Sequence, residues 1–281
     1  MLGIAAWPDW TDTVIVSVPH MKTVVLQSYR TFDVPDWIQR CLHSVKAWAA
    51  NSAFIYEFIG DELFDLIPNW YRLKAAEYMP VTTDLARLYL MRRFLLDGFS
   101  RALWIDADVI MFAPNKLTLD DNLSLGFSKE TWIRRLPSGE LYIESQVNNS
   151  VCLFQLKSIS ALENYIQACL TTVERLPILR DQLEVGTRLL TDLHRKRALP
   201  LLRHFGLLPP CVLDAIIDFD HELLTRFMLA QGEYLYAANL CHFFRKSALA
   251  IKDNIFDRVI STLLNTEGRI LNDLPVNTHS L

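Results

Sequence analysis

Residues 101–112, RALWIDADVIMF, set two carboxylates in the middle of an otherwise apolar run. Leu103, Trp104 and Ile105 have the pattern of a short buried strand, and Val109 to Phe112 resume it after Asp106-Ala107-Asp108. Carboxylates bracketed by core residues are costly to desolvate unless a cation neutralises them. In an extended segment, residues two apart project to one side, so Asp106 and Asp108 would both face a single ion. Their oxygens suit hard divalent cations such as Mg or Mn, which join protein to substrate phosphates. The alternative is a strand followed by a polar turn in which the aspartates cap backbone groups.

A chain of 281 residues, 51% of them hydrophobic, is ample for one core, and one domain with an insertion fits better than two domains. Its net charge of -4 gives no electrostatic footprint for nucleic acid. The five cysteines, Cys41, Cys152, Cys169, Cys211 and Cys241, are scattered and never paired as C-x-x-C. They argue against a disulfide framework and a structural zinc site, and they fit a reducing compartment. No apolar run approaches the roughly 18 residues of a spanning helix. Residues 1–20 lack a basic start and carry Asp9 and Asp12, unlike a signal peptide. The expectation is a cytoplasmic protein.

Residues 1–20 form an N-terminal extension or an extra strand, residues 21–250 the main domain, and residues 251–281 a C-terminal helix and tail. Within the main domain, strand 21–29, helix 36–50 and strand 53–59 make a βαβ unit, which favours a parallel sheet. Short helices follow at 61–67 and 71–78, then a helix over 84–96 that leads into the acidic strand. Ligands of open α/β sheets lie beyond the carboxyl ends of the strands, where Gln27-Ser28, Ile59-Gly60 and Asp106-Asp108 would converge. Strands are expected at 123–128, 147–154 and 234–238, and helices at 159–173 and 181–195. Residues 194–213 mix basic residues, leucines and prolines; they read as a solvated face packed on the core, or as a segment in peripheral contact with a membrane.

Thr83-Asp84-Leu85-Ala86-Arg87, an apolar helix, and then Leu103 to Asp108 together resemble the D-x-D sugar-binding region of glycosyltransferases with the GT-A fold. The similarity is greatest to the family of yeast-type mannosyltransferases, capsule sugar transferases and clostridial glucosylating toxins, in which an Asp-x-x-Arg helix precedes the acidic strand end. Val24 to Tyr29 resembles that family's opening strand, and Asn148-Asn149-Ser150 its Asn-rich strand start. His242 with Phe243 to Ser247 resembles the late His segment that closes the metal site. Ala107 and Val109 depart from the Gly- and Asp-rich surroundings usual there, and an expected Gly-Pro appears only as Gly186-Thr187.

The resemblance implies an α/β fold of GT-A type, a Rossmann-like open mixed sheet flanked by helices. It also implies a Mn- or Mg-dependent, retaining hexosyltransferase that uses a nucleotide diphosphate sugar. The acceptor would be a saccharide, glycolipid or protein, with polysaccharide biosynthesis as the setting. Asp106 and Asp108 would hold the metal, with His242 as a third ligand or, alternatively, a core histidine bonded to a carbonyl. Asp181 would be a catalytic neighbour. Gln27, Ser28, Tyr29, Asp84, Arg87, Asn148, Asn149 and Lys246 would meet substrate. An aromatic at a strand end, such as Tyr29, is more often a core residue, and the asparagines equally fit strand-ending residues. Two rival readings remain: a haloacid-dehalogenase-type Mg phosphatase with Asp106 as nucleophile and Asp108 as acid/base, and an inactive glycan- or partner-binding module.

Overall fold

The computed structural model describes residues 21–241 and 253–274. Strand β1 (Thr23–Ser28) is followed by helix α1 (Asp36–Asn51) and strand β2 (Ile55–Ile59). Val24, Val25 and Leu26 are fully buried, as a central strand covered on both faces requires. Trp37, Cys41, Val45 and Trp48 recur along α1 and are all buried. Helices α2 (Asn69–Lys74) and α3 (Met79–Leu96) lead to β3 (Arg101–Ile105) and the short β4 (Val109–Met111). A long hairpin of β5 (Leu125–Arg135) and β6 (Leu141–Gln155) comes next, then α4 (Ile159–Arg175) and α5 (Thr187–Arg197). The chain continues through β7 (Leu201–Leu202), β8 (Phe205–Leu207), α6 (Pro210–Asp218), α7 (His221–Gln231) and β9 (Ala237–Asn239). Helices α8 (Asp253–Thr266) and α9 (Arg269–Asn272) follow.

The fold is α/β, with an open mixed sheet flanked by helices, as expected. Its six strands run in the order β2-β1-β3-β6-β5-β7; β2, β1 and β3 are parallel, and β6 is antiparallel to both β3 and β5. A second sheet has the order β4-β9-β8. Side chains alternate across the large sheet. Leu26, Trp104 and Phe154 face α3 and α4, while Val25, Leu103 and Leu153 face α1 and the small sheet.

Several boundaries differ from the sequence reading. Helix α3 begins at Met79 rather than residue 84, because Pro80 in the first turn has no N–H to waste there. Asp84 and Arg87 are therefore mid-helix and buried. The helix expected at 181–195 begins only at Thr187: the Asp181 carboxylate accepts from the Leu183 N–H at 2.8 Å, a local turn that competes with helix. The leucine-rich stretch 194–213 buries Leu202, Phe205, Leu207, Leu208 and Leu213 in the core, which agrees with packing on the core. Helix α8 is no appendage, since Phe256, Val259, Ile260 and Leu263 are fully buried with α1 and α6 residues. Residues 1–20 lie outside the described residues. Among the described residues, no helix is long and apolar enough to cross a membrane.

Candidate functional site

Strand β3 ends at Ile105, and the chain then changes sheets. Val109 N–H donates to the Asp106 carbonyl at 3.1 Å, closing a tight turn over Asp106-Ala107-Asp108. The Asp106 N–H donates to the Ser150 carbonyl of β6 at 2.7 Å, and Leu240 N–H donates to the Asp108 carbonyl at 2.9 Å. The two aspartates therefore stand on a turn rather than on one extended strand, because pairing with β6 stops at Asp106 and pairing with β9 starts at Val109. Both still line one cleft of about 520 Å³.

Arg87 is the hub of the inner wall. Its Nη2 is 3.2 Å from Asp84 Oδ1, and its Nη1 is 3.2 Å from Asp106 Oδ1. Nη1 also donates to the Asn149 carbonyl, and the guanidinium carbon lies 5.1 Å from the Trp104 ring centroid. Trp104 Nε1 donates to the same Asp106 oxygen at 2.7 Å. Burial pushes the Asp84 carboxyl up to about 6 despite Arg87 and Asn149, with Asp106 adding to the rise. The Asp106 carboxyl is also raised, by burial first and then by Asp108, against the pull of Arg87 and Trp104.

A β-bulge builds the adjoining wall. Phe127 pairs with Cys152, but Ser128 pairs with Asn148, so Asn149, Ser150 and Val151 have no counterpart on β5. A bulge re-aims side chains, and here the consecutive Asn148, Asn149 and Ser150 all line the cleft. Asn149 Nδ2 donates to Asp84 Oδ1 at 3.1 Å and to the Tyr165 hydroxyl at 3.2 Å. Asn148 Nδ2 donates to Glu130 Oε2 at 2.8 Å, while its Oδ1 accepts from Ser128 and Ser150. Gly186 comes so close that a Cβ there would lie 2.6 Å from Asp84 Oδ2, which gives the glycine of Gly186-Thr187 a packing reason.

The structure thus gathers Asp84, Arg87, Asp106, Asp108, Asn148 and Asn149 around one cleft. Gln27, Ser28, Tyr29 and Asp181 do not line it. Gln27 is fully buried, accepting from the Tyr56 hydroxyl at 3.1 Å and donating to the Asp106 carbonyl at 3.2 Å, so it supports the turn from beneath. Tyr29 packs against the cluster around α1 and α6. Asp181 pairs with Arg188 Nη2 at 2.5 Å. His242 and Lys246 lie outside the described residues. Sequence reasoning missed Glu130, Glu144, Asn239 and Cys241, all of which line the cleft. Asn239 Nδ2 donates to Asp108 Oδ1 at 2.8 Å and fixes that carboxylate.

Five carboxylates (Asp84, Asp106, Asp108, Glu130 and Glu144) line the cleft against the guanidinium groups of Arg87 and Arg134. Burial holds the Glu130 carboxyl above the usual range, and the Cys241 thiol is raised by burial and then by Asp108, Glu130 and Asp106. The donor set fits a hard divalent cation. Asp106 and Asp108 would supply oxygen ligands, and Arg87 and Trp104 engage only Oδ1 of Asp106. Among the described residues, no group of three His, Cys, Asp or Glu side chains closes around one metal position. Further ligands would come from substrate oxygens or from outside the described residues.

No protein-family model matches the chain, and no curated protein matches it in sequence. Among solved structures, it is similar to a glycosyltransferase involved in glycosylation of the major capsid of PBCV-1. The TM-score is 0.46 at 10% identity, covering 84% of this chain and 98% of that one. It is also similar to mouse xyloside xylosyltransferase 1, with a TM-score of 0.40 at 10% identity, covering 79% of this chain and 98% of that one.

Proposed function

We propose that the chain is a metal-dependent glycosyltransferase of GT-A type that moves a hexose from a nucleotide diphosphate sugar to an acceptor hydroxyl, with retention at the anomeric carbon. The observation that carries this reading is the cleft itself. Asp106 and Asp108 stand at the carboxyl end of β3, beside a buried Asp84–Arg87 pair, in a pocket whose described residues bring more carboxylates than cations. Such a pocket repels a diphosphate unless a cation stands between them. Mn or Mg bound by Asp106 and Asp108 would supply Lewis-acid neutralisation of charge on the leaving diphosphate. The chain's own groups hold and orient. Arg87 and Trp104 hold Asp106 Oδ1, Asn239 holds Asp108 Oδ1, and the bulged asparagines brace Asp84 and Glu130 in the cleft wall. In transfer, the carbon–oxygen bond to the diphosphate breaks, a bond to the acceptor oxygen forms, and the acceptor's hydroxyl proton passes to an oxygen of the departing diphosphate.

Calorimetric titration with UDP and with GDP, each with and without Mn, tests this proposal. Binding that requires Mn and is lost in Asp108→Asn is expected. Binding of neither nucleotide under any metal condition would overturn the reading and bring the phosphatase and inactive-module alternatives forward.

A further inference from the structure

The cleft extends well past the aspartates, along one face of the β5–β6 ribbon. Glu130 pairs with Gln146, Trp132 with Glu144, and Arg134 with Tyr142. All six side chains line the cleft, as the two-residue period of paired strands dictates. The opposite face is anchored. Lys129 Nζ donates to the carbonyls of Ala230 and Gln231 at 3.0 and 2.6 Å, and Thr131 Oγ1 donates to Gln231 Oε1 at 2.6 Å. Ile133 is buried, and its carbonyl accepts from Cys211 Sγ at 2.9 Å. The ribbon is therefore a wall held by α6 and α7.

The chemistry of that wall selects among ligands. Trp132 contributes an indole to the cleft lining, and Glu130, Glu144 and Gln146 contribute carboxylate and amide oxygens, of which Glu130 Oε2 also accepts from Asn148 and Glu144 Oε2 from the Tyr142 hydroxyl. Arg134, the ribbon's cation in the cleft, lies 4.7 Å from the Tyr142 ring centroid at the outer end. Phosphate is disfavoured beside Glu130 and Glu144, whereas a pyranose matches, with an apolar ring face and a hydroxyl rim. From residue 130 to residue 134 the strand runs about 13 Å, longer than one pyranose ring. Continuity with Asp106 and Asp108 places this wall beside the proposed donor site.

We infer that the cleft-facing side of the β5–β6 ribbon is a binding subsite for a neutral oligosaccharide, with Trp132 as its platform. Its role as the acceptor subsite rests on the glycosyltransferase reading; its affinity for saccharide does not. The test applies the full chain and its Trp132→Ala and Tyr142→Ala variants to an array of neutral oligosaccharides and lysine-rich peptides. Thermal melts establish that each variant is folded, and UDP and GDP calorimetry is run on the same samples. Retention on neutral oligosaccharides, reduced at least tenfold by Trp132→Ala and in the same direction by Tyr142→Ala, is expected. No retention by the wild-type chain, retention unchanged in both variants, or preference for the peptides would each overturn the assignment. Nucleotide binding without saccharide retention removes the subsite and leaves the transferase reading. Saccharide retention without nucleotide binding does the reverse.

Discussion

Arg87 stands between two carboxylates in a setting where any one of the three groups alone would be expensive to bury. Its side chain and that of Asp84 are 6% and 7% exposed, and its other partner, Asp106, is 26% exposed. Replacing one member leaves the others buried and unmatched, so Arg87→Met is expected to cost about 3–5 kcal/mol, read from urea denaturation. Asp84 gives a pH signature. Its carboxyl is pushed up to about 6, so the folded form binds the proton more tightly than the unfolded chain. The associated stability is fully present below the ordinary carboxylate value near 3.8, falls as pH rises through about 6, and is level above that. Denaturation of wild type and Asp84→Asn at pH 4, 5, 6 and 7 should show wild type losing ground to the variant across that window. The opposite slope would mean that Arg87 outweighs burial.

At the scale of elements, the β5–β6 ribbon depends on α7. Lys129 Nζ reaches the last carbonyls of that helix, where a cation also meets the negative end of the helix dipole. Lys129→Met should cost about 1.5–3 kcal/mol in urea denaturation, the usual value of hydrogen bonds made by a charged group. The ribbon was also the least legible part of the sequence. The reading stopped the strand at residue 128, whereas β5 runs to Arg135. Alternation continues through Lys129, Thr131 and Ile133 against Ser128, Glu130 and Trp132, but both sets are largely polar, so the contrast that marks one buried face is missing. By contrast, β1, α1 and β3 announced themselves because their apolar residues face a dry core. Asp106 and Asp108 stood out because charge inside an apolar run is costly, whereas Asp84 and Arg87 came into view only through the family resemblance. Gln27 shows a related ambiguity: a polar residue near a strand end serves a ligand or a backbone carbonyl equally well in sequence, and here it bonds the carbonyl of Asp106.

At the scale of the whole molecule, the core is closed by its last helices. Trp37 of α1 stacks on Phe256 of α8 with ring centroids 4.2 Å apart, and Arg40 reaches the Asp257 carboxylate at 3.2 Å and Ser261 Oγ at 3.1 Å. Phe256, Val259, Ile260 and Leu263 are fully buried. At about 1.5–3 kcal/mol for each side chain, their burial is on the order of the entire stability of a typical domain. Ending the chain at residue 252 should therefore abolish the cooperative thermal transition, as followed by circular dichroism. A truncated chain that melts like the full one would show that the core stands without α8.

The turn at Asp106-Ala107-Asp108 is also a seam, because one aspartate is tied to the large sheet through Ser150 and the other to the small sheet through Asn239 and Leu240. The gap between the two carboxylates therefore gauges how far the sheets lean apart. An ion gripped by both would rivet the halves at a single angle, and any force that splays them would loosen its hold. Affinity for such an ion would in that sense be mechanical, set partly by strands that never touch it.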